Sequence, residues 1–420
     1  MKKLLLLLVM LGGFVFAADD GYGDDDDNYV KVPVNLGLWP GISTGDLWAE
    51  EAGFKKVYNT GFAFSLIGMR AARLRGMDFS GLFSIYTEGV QGVQASGIFN
   101  IVNGNVAGVQ AAGIFSIVDG QIKGVQGNGI FGIHNGEFKG VQGTGIFNIQ
   151  NGEFTGVQAS GIFIIQNGNF TGLQGTGVFV LQNGDFTGAQ FSQIFNVQNG
   201  DFRGAQISSS LNITGGSFRG FQTGIVNITR YFERGLQLGV VNVAEEHHGV
   251  PVGLVTVVED VPFGYDVWFD SQQFVNIGLR SGNDEYYNLI SVGRRIEGDV
   301  EYYTIGGGFG KKVYLGSNWN LDVGINIAKL LNKNFKDGNY KNFSWRKSNL
   351  GYISRFNLVL RYGLNYRGYR GQGSIFIGPT VNFWVSKLQD EELTNDLWVD
   401  EVDGDDYFRV WPGFVVGVEL

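Results

Sequence analysis

A Gly-Val-Gln step, with Ala, Leu or Phe replacing Val in some copies, recurs every sixteen residues without slippage. Its glutamines are Gln94, Gln110, Gln126, Gln142, Gln158, Gln174, Gln190, Gln206 and Gln222. Asn-Gly or a close relative falls in step at Asn103, Asp119, Asn135, Asn151, Asn167, Asn183 and Asn199, and this dipeptide favours tight turns because both residues tolerate positive φ. Self-similarity at a fixed period marks stacked units, each of which buries its inner face only against its neighbours. Sixteen residues is too few for a helical pair, and the Val, Ile, Phe and Thr in each copy favour strands. A worn copy, GMDFSGLFSI (Gly76 to Ile85), precedes the regular ones, and GFQTGIVNI, GLQLGVVNV and GVPVGLVTV follow, so the array is read as residues 61–258.

The late copies decide how many strands a unit holds. Two residues separate Gln158 from Gly161, but only one separates Gln222 from Gly224 and Gln237 from Gly239. Losing one residue inside a continuous strand would swap the faces of everything after it, whereas a corner absorbs the loss. Each unit therefore reads as two short strands, FTGVQ and GIFNI in one copy, with corners at Ala-Ser and at Gln-Asn-Gly. Stacking such coils in register predicts a narrow β-solenoid, and about a dozen coils at ~4.8 Å each give a rod of roughly 55 to 60 Å. One large antiparallel β-barrel is the alternative fold, in which the copies would run as long uncornered staves.

On hydrophobicity, the inward ladders are expected to be Phe99 and its repeats to Phe195, Ile101 and its repeats to Val197, and Val93 with its repeats to Leu173. Strand alternation then turns the glutamine column outward, together with Phe138, Phe154, Phe170, Phe186 and Phe202, which share its phase. Either the corner brings those phenylalanines inward or the outer face of that strand is covered. The glutamines read as a register-holding amide ladder, with a ligand-binding stripe as the alternative. Pro251 stands where glutamine stood, and a residue that cannot donate to a further rung suits the last coil.

Beyond residue 262 the text changes to separate segments of strict alternation. In RFNLVLRYGLNY, Phe356, Leu358, Leu360, Tyr362, Leu364 and Tyr366 share one face, against Arg355, Asn357, Arg361 and Asn365. NLDVGINIAK, SIFIGPTVNFWV and FRVWPGFVVGVEL repeat the pattern. Charges on one face and apolar residues with aromatic ends on the other are what a membrane β-barrel strand requires. Long connections (Asn332 to Asn349, Leu388 to Asp406) alternate with short ones, which fits an outer-membrane topology with the long loops outward. Residues 262–420 are thus read as an antiparallel barrel of seven recognisable strands, and residues 29–60 as N-terminal strands that could add staves. Chain termination on Leu420 departs from the aromatic ending usual for such barrels.

The N-terminus, MKKLLLLLVMLGGFVFAADD, has the layout of a cleaved export signal, read as residues 1–18, followed by an acidic disordered stretch, 19–28. No later run approaches the ~18 continuous apolar residues of a spanning helix. With no cysteine there is no disulfide framework, thiolate nucleophile or lipid-attachment cysteine. The net charge of -9, which becomes more negative if Lys2 and Lys3 leave with the signal, argues against a nucleic-acid partner.

Catalysis needs a positioned acid, base, nucleophile or metal, and no constellation of that kind is visible. The chain has three histidines. His134 replaces the Gln of other copies beside an Asn-Gly turn and is read as a surface residue. His247 and His248, in EEHH, lack a third nearby ligand for a metal. Glu137, Glu153, Asp185 and Asp201 recur at one turn position and read as solvated corners. GGGFGKK (Gly306 to Lys312) lies in a strand pattern without a following helix, so it is not a phosphate loop. No catalytic, cofactor-binding or metal residue is assigned, and the chain is read as a non-enzyme.

The units G-[VAL]-Q-x-x-G-[IV]-F-N-[IV], preceded by VNLGLWPGIST and followed by FVNIGLRSGNDEYYNLISVG, resemble the leptospiral-type surface-repeat proteins also found in gut bacteria of the Bacteroides type. The resemblance covers most of the chain after residue 18 and implies an envelope or surface location; it supplies no activity or functional residues. The expectation is an exported protein anchored in the outer membrane of a Gram-negative-type bacterium, structural or adhesive, whose partners are membrane lipid and an extracellular ligand or envelope component. A pore or transporter is the alternative, and a carbohydrate-active β-helix a weaker third.

Overall fold

The computed structural model describes residues 29–54, 56–297, 301–333, 351–364, 373–386, 398–403 and 406–420. The expected signal (1–18), the acidic stretch (19–28) and most of both long loops lie outside the described residues. The chain folds as a β-solenoid of about thirteen turns and a closed eight-stranded antiparallel β-barrel. It divides into two compact units, residues 1–217 and 218–420, and the last coils belong with the barrel in the second.

The first unit opens on β1 (Tyr29–Trp39), a two-residue β2 (Ile42–Ser43), helix α1 (Thr44–Ala52), β3 (Lys56–Ser65) and β4 (Gly68–Ser80). β1 pairs parallel with β3, and β3 with β4, so residues 29–60 begin the solenoid instead of adding barrel staves. Sequence periodicity gave no sign of α1. The Ser43 hydroxyl caps its first turn by accepting from Asp46 N at 3.1 Å, and Gly53 ends it in the left-handed region. Its buried Thr44, Gly45 and Ala49 pack on β1, where the Asn35 side chain accepts from Gly45 N at 2.9 Å. The helix thereby covers part of a first rung that would otherwise recruit another strand.

Strands β5 to β24 (the first Phe83–Ser96, the last Val255–Val258) form the coils, two short strands to a unit in the regular copies. Every pair is parallel and in register at a sixteen-residue offset there: Gln142 opposes Gln126 and Gln158, and Phe147 opposes Phe131 and Phe163. Parallel pairing with a corner in each unit sets aside the single large antiparallel barrel. One glycine column is fixed by geometry. Gly156 has φ +137°, and a Cβ there would lie 1.9 Å from the Gly140 carbonyl oxygen.

The faces of the coil are the reverse of those expected from hydrophobicity. The glutamine column is buried throughout, as are Phe138, Phe154, Phe170, Phe186 and Phe202, and on the other strand Asn148 and Gln150. The Phe99, Ile101 and Val93 columns face outward; Val141 is 45% exposed and Leu173 51%. The physical reason lies in the stacking. In the column from Gln94 to Gln206 each amide bonds an identical one a single rung away, while Gln150, Gln166 and Gln182 on the other strand donate to the backbone carbonyls of Gly136, Gly152 and Gly168, so burial leaves these donors satisfied and removes much of the cost that would expel a lone glutamine. The corner did not have to turn Phe138 inward, because simple alternation already places it with Gln142.

In the second unit the barrel consists of β25 (Gly264–Asp270), β26 (Phe274–Gly282), β27 (Tyr286–Arg295), β28 (Glu301–Tyr314), β29 (Trp319–Lys333), β30 (Tyr352–Gly363), β31 (Ser374–Ser386) and β33 (Asp406–Glu419). Each pairs antiparallel with the next, and β25 closes on β33 through Asp266↔Glu419 to Asp270↔Val415. The seven strands expected become eight because β25, only seven residues long, was too short to register as alternation. A further strand, β32 (Trp398–Asp403), pairs with β33 inside what was read as an acidic loop.

The last coil of the solenoid abuts the outer wall of β26 and β27. Asn288 Nδ2 donates to Pro251 O at 3.0 Å and to Thr256 Oγ1 at 2.8 Å, Gly253 N donates to Asn288 Oδ1 at 2.9 Å, and Thr256 N donates to Ser281 Oγ at 3.0 Å. The barrel wall is therefore the cap of the final rung, which explains why Pro251 can stand in the glutamine column.

Candidate functional site

Two features carry chemistry: the amide interior of the solenoid, and the barrel with its lumen and outer wall. Within the solenoid, each glutamine Nε2 donates to the Oε1 of the preceding coil, from Gln110 to Gln94 at 2.9 Å through Gln206 to Gln190 at 2.9 Å. All of these bonds point the same way. At the upstream end Gln94 Nε2 donates to Ser84 Oγ at 2.9 Å, and Ser84 donates in turn to Asp78 Oδ2. Asp78 opposes Gln94 in register and also accepts from Ser80 at 3.0 Å and Tyr86 at 3.0 Å. A carboxylate thus terminates the donating end of the ladder, as an acidic residue does at a helix N-terminus. Burial raises the Asp78 pKa, opposed by the three hydroxyl donors.

His134 is buried, not on the surface. Its Nδ1 lies 2.7 Å from Gln150 Oε1 and its Nε2 2.6 Å from Gly120 O. It marks the join in one interior column between aliphatic Val102 and Val118 and the amides of Gln150, Gln166 and Gln182. Burial lowers its pKa, opposed by the hydrogen bonds to Gly120 O and Gln150 Oε1. His247 is also buried. Its ring stacks on Phe232 at 4.4 Å, and its Nδ1 lies 3.2 Å from Asn283 Nδ2 at the junction with the barrel. His248 is exposed. Among the described residues, no group of three or more His, Cys, Asp or Glu is placed to hold a metal ion. Gly306 to Lys312 lie within β28. At the repeated acidic corner, Glu153, Asp185 and Asp201 are exposed and Glu137 half-buried; two neighbours there also tie coils together, Asp201 N donating to Asp185 Oδ1 at 3.0 Å.

The barrel lumen is filled in layers. At the short-turn end Arg361 donates from Nε to Asp322 at 3.0 Å, from Nη2 to Asp266 at 3.0 Å and from Nη1 to Glu419 at 2.9 Å, while Arg280 Nη1 lies 3.0 Å from Asp322. Trp268, Val359, Phe376 and Val415 form an apolar layer. Arg355 pairs with Asp270 at 2.9 Å. The far end is closed by Phe274, Tyr302, Leu330, Ile353, Trp384 and Trp411. Between the ionic groups a cavity of about 50 Å³ remains, lined by Asp266, Arg280, Asp322, Arg355 and Arg361 among others. Eight strands enclose a space that side chains can fill, and here they do.

The outer wall has the opposite character. Ile277 is 55% exposed and Ile377 59%, and Ile327, Phe356, Val381, Phe414 and Val416 are exposed beside them, while the buried arginines and aspartates of the same strands point inward. No helix among the described residues is long and apolar enough to cross a membrane, which has no bearing on strands. Comparison with protein-family models, curated proteins and solved structures finds no match to this chain.

Proposed function

We propose that the chain is a non-enzymatic protein of the bacterial outer membrane, anchored by its barrel, whose solenoid is a stiff repetitive element of structural or adhesive use. The observation that carries this reading is the inverted barrel: its charges are inside and its exposed wall is aliphatic and aromatic. In water such a wall would be a large exposed apolar surface, whereas in a bilayer it is the face that lipid demands. A closed barrel satisfies all its backbone hydrogen bonds internally, so its strands are able to cross a bilayer.

The plugged lumen favours anchor over pore. Passage of a solute would require breaking the Arg361 and Arg280 ion pairs and displacing the aromatic layer around Trp384. Expressed from its first codon in a Gram-negative host, the chain should sediment with the outer membrane, resist alkaline carbonate extraction and give no conductance steps in planar bilayers. Recovery in the soluble fraction would contradict the anchor, and steady conductance would contradict the closed lumen.

A further inference from the structure

The first compact unit carries an apolar outer face that the anchoring role leaves unused. On the strand typified by Phe147 to Asn151, the columns through Ile146, Phe147 and Ile149 are half-buried or exposed, and from Leu82 to Ile213 none of the three contains a charged residue. Arg70, exposed and opposite Ile85 in the register, marks where the strip ends upstream. The Phe147 column runs nine rungs, from Phe83 to Leu211. Along one margin the exposed side-chain amides of Asn135, Asn151, Asn167, Asn183 and Asn199 bond one another at 2.6 to 2.8 Å. An apolar centre with a polar margin is the anatomy of a protein–protein interface. The other strand of the coil has a different exterior, where Lys123, Lys139 and Arg203 stand in the exposed column of Thr155.

The geometry of the strip restricts its occupant. Successive Phe rings lie 4.8 to 5.2 Å apart and within 9° of parallel from Phe83 to Phe195. Each ring rests its faces on its neighbours, so sugars and nucleobases, which bind aromatic faces, have no platform. A strip without charge also offers a charged partner nothing to pair with. What remains is a ridged surface of fixed pitch. A partner fills its grooves along the whole length only if its own ridges repeat at the same spacing, and a second copy of the strip does so when displaced by half a rung, as in the dry interdigitated faces of stacked sheets. The area is sufficient. Eight steps of ~4.8 Å along the stack and five residues of ~3.3 Å across it, from Ile146 to Asn151, give about 650 Å² per copy. The pair would bury about 1,300 Å², within the range of stable protein interfaces.

From the matched pitch, the missing charge and the area we infer that the Ile146–Phe147–Ile149 face is a homodimer interface, on which the same face of a second copy packs about a two-fold axis. Such an interface is self-complementary. The central rung, Phe147 to Ile149, lies near the axis whether the two strips run parallel or antiparallel, so Ile149 approaches its own counterpart in either arrangement. An arginine there would bring two like charges together in a desolvated contact. Association is reversible, and dilution reopens the strip. The inference does not depend on the barrel lying in a bilayer.

Sedimentation equilibrium of the full chain in detergent micelles, with the solvent density-matched to the detergent, tests this. The parent should sediment as two chains at high concentration and as one on dilution. Ile149→Arg should sediment as one chain throughout; Arg70 already occupies that column, and circular dichroism checks that the coil is intact. Thr155→Arg, on the other exterior in the column that holds Arg203, should behave as the parent. A parent that stays single at every concentration overturns the inference, and so does a dimer that survives Ile149→Arg, because association would then run through another surface. The chain has no cysteine, so Ile149→Cys and Thr155→Cys give a second measurement that stands if Ile149→Arg does not fold. A short bismaleimide should join Ile149→Cys chains into dimers and leave Thr155→Cys chains single; the reverse pattern, or no joining in either, overturns the inference. A single chain whose fluorophore at Ile149→Cys is quenched by nitroxide-bearing lipid in the micelle overturns it in favour of lipid as the occupant.

Discussion

Gln158 donates its side-chain N–H to Gln142 Oε1 across 2.8 Å inside the solenoid, and both residues are buried. Gln174 donates to Gln158 in the same way at 2.9 Å. Replacing Gln158 with Leu orphans an acceptor on one neighbour and a donor on the other, each at the cost of an unsatisfied buried group. Gln158→Leu should therefore lower stability by about 2 kcal/mol or more despite its greater hydrophobicity, read from thermal unfolding followed by circular dichroism. A neutral or stabilising result would mean that the amide column is not the core.

The glycines divide into two classes. Gly156→Ala forces a Cβ into the Gly140 carbonyl at positive φ and should cost more than about 3 kcal/mol or abolish folding. Gly175→Ala meets nothing within 4 Å, and Ala159 already occupies that column one coil earlier, so its unfolding midpoint should match the parent.

Removing Arg361 strips the carboxylates of Asp266, Asp322 and Glu419 of a shared partner in the barrel lumen. Arg361→Met should destabilise the barrel by about 3 to 5 kcal/mol, as expected when one member of a buried ionic set is deleted. Arg361→Met combined with Asp266→Asn should recover part of the loss. Urea unfolding in detergent micelles, monitored by tryptophan emission, measures both.

His247 sets a pH dependence at the junction of coil and barrel. Burial, assisted by the charge of neighbouring His248, brings its pKa down from 6.5 to about 4. The unfolded chain takes up the proton first on acidification, so the contribution is whole above pH 6.5, declines as the pH falls and is lost by about pH 4, an effect of about 3 kcal/mol. His247→Phe should flatten that decline. The ring would extend the stack of Phe218 and Phe232, and Asn283 Nδ2 would retain His247 O and Gly249 O as acceptors. Unfolding midpoints between pH 7 and 4 for parent and variant are the comparison.

The sixteen-residue period and the single-residue deletions after Gln222 and Gln237 were enough to read cornered coils in register, and alternation from residue 262 was enough to read an antiparallel barrel. The faces of the coil were misread because apolar-in is the rule for proteins in water, and Phe147 and Ile149 outweigh Gln150 and Asn148 on any hydrophobicity scale. The signal that could have corrected this was present: Phe138 shares the phase of Gln142, so an inward glutamine also shelters a phenylalanine. His134 followed the same error, since a position next to an Asn-Gly turn looks exposed until its column is known to point inward. Helix α1 and strand β25 were missed because nine and seven residues are too few for periodicity, and the wall contacts of Asn288 depend on two segments far apart in sequence.

The account turns on which side of each short strand is inside. Single cysteines placed one at a time from Phe138 to Asn151 in the full chain, tested for maleimide reactivity in detergent, read this directly. The account predicts labelling at Val141, Ile149 and Asn151 and protection at Phe138, Gln142, Asn148 and Gln150. Protection at Val141 and Ile149 with labelling at Gln142 and Gln150 would contradict it.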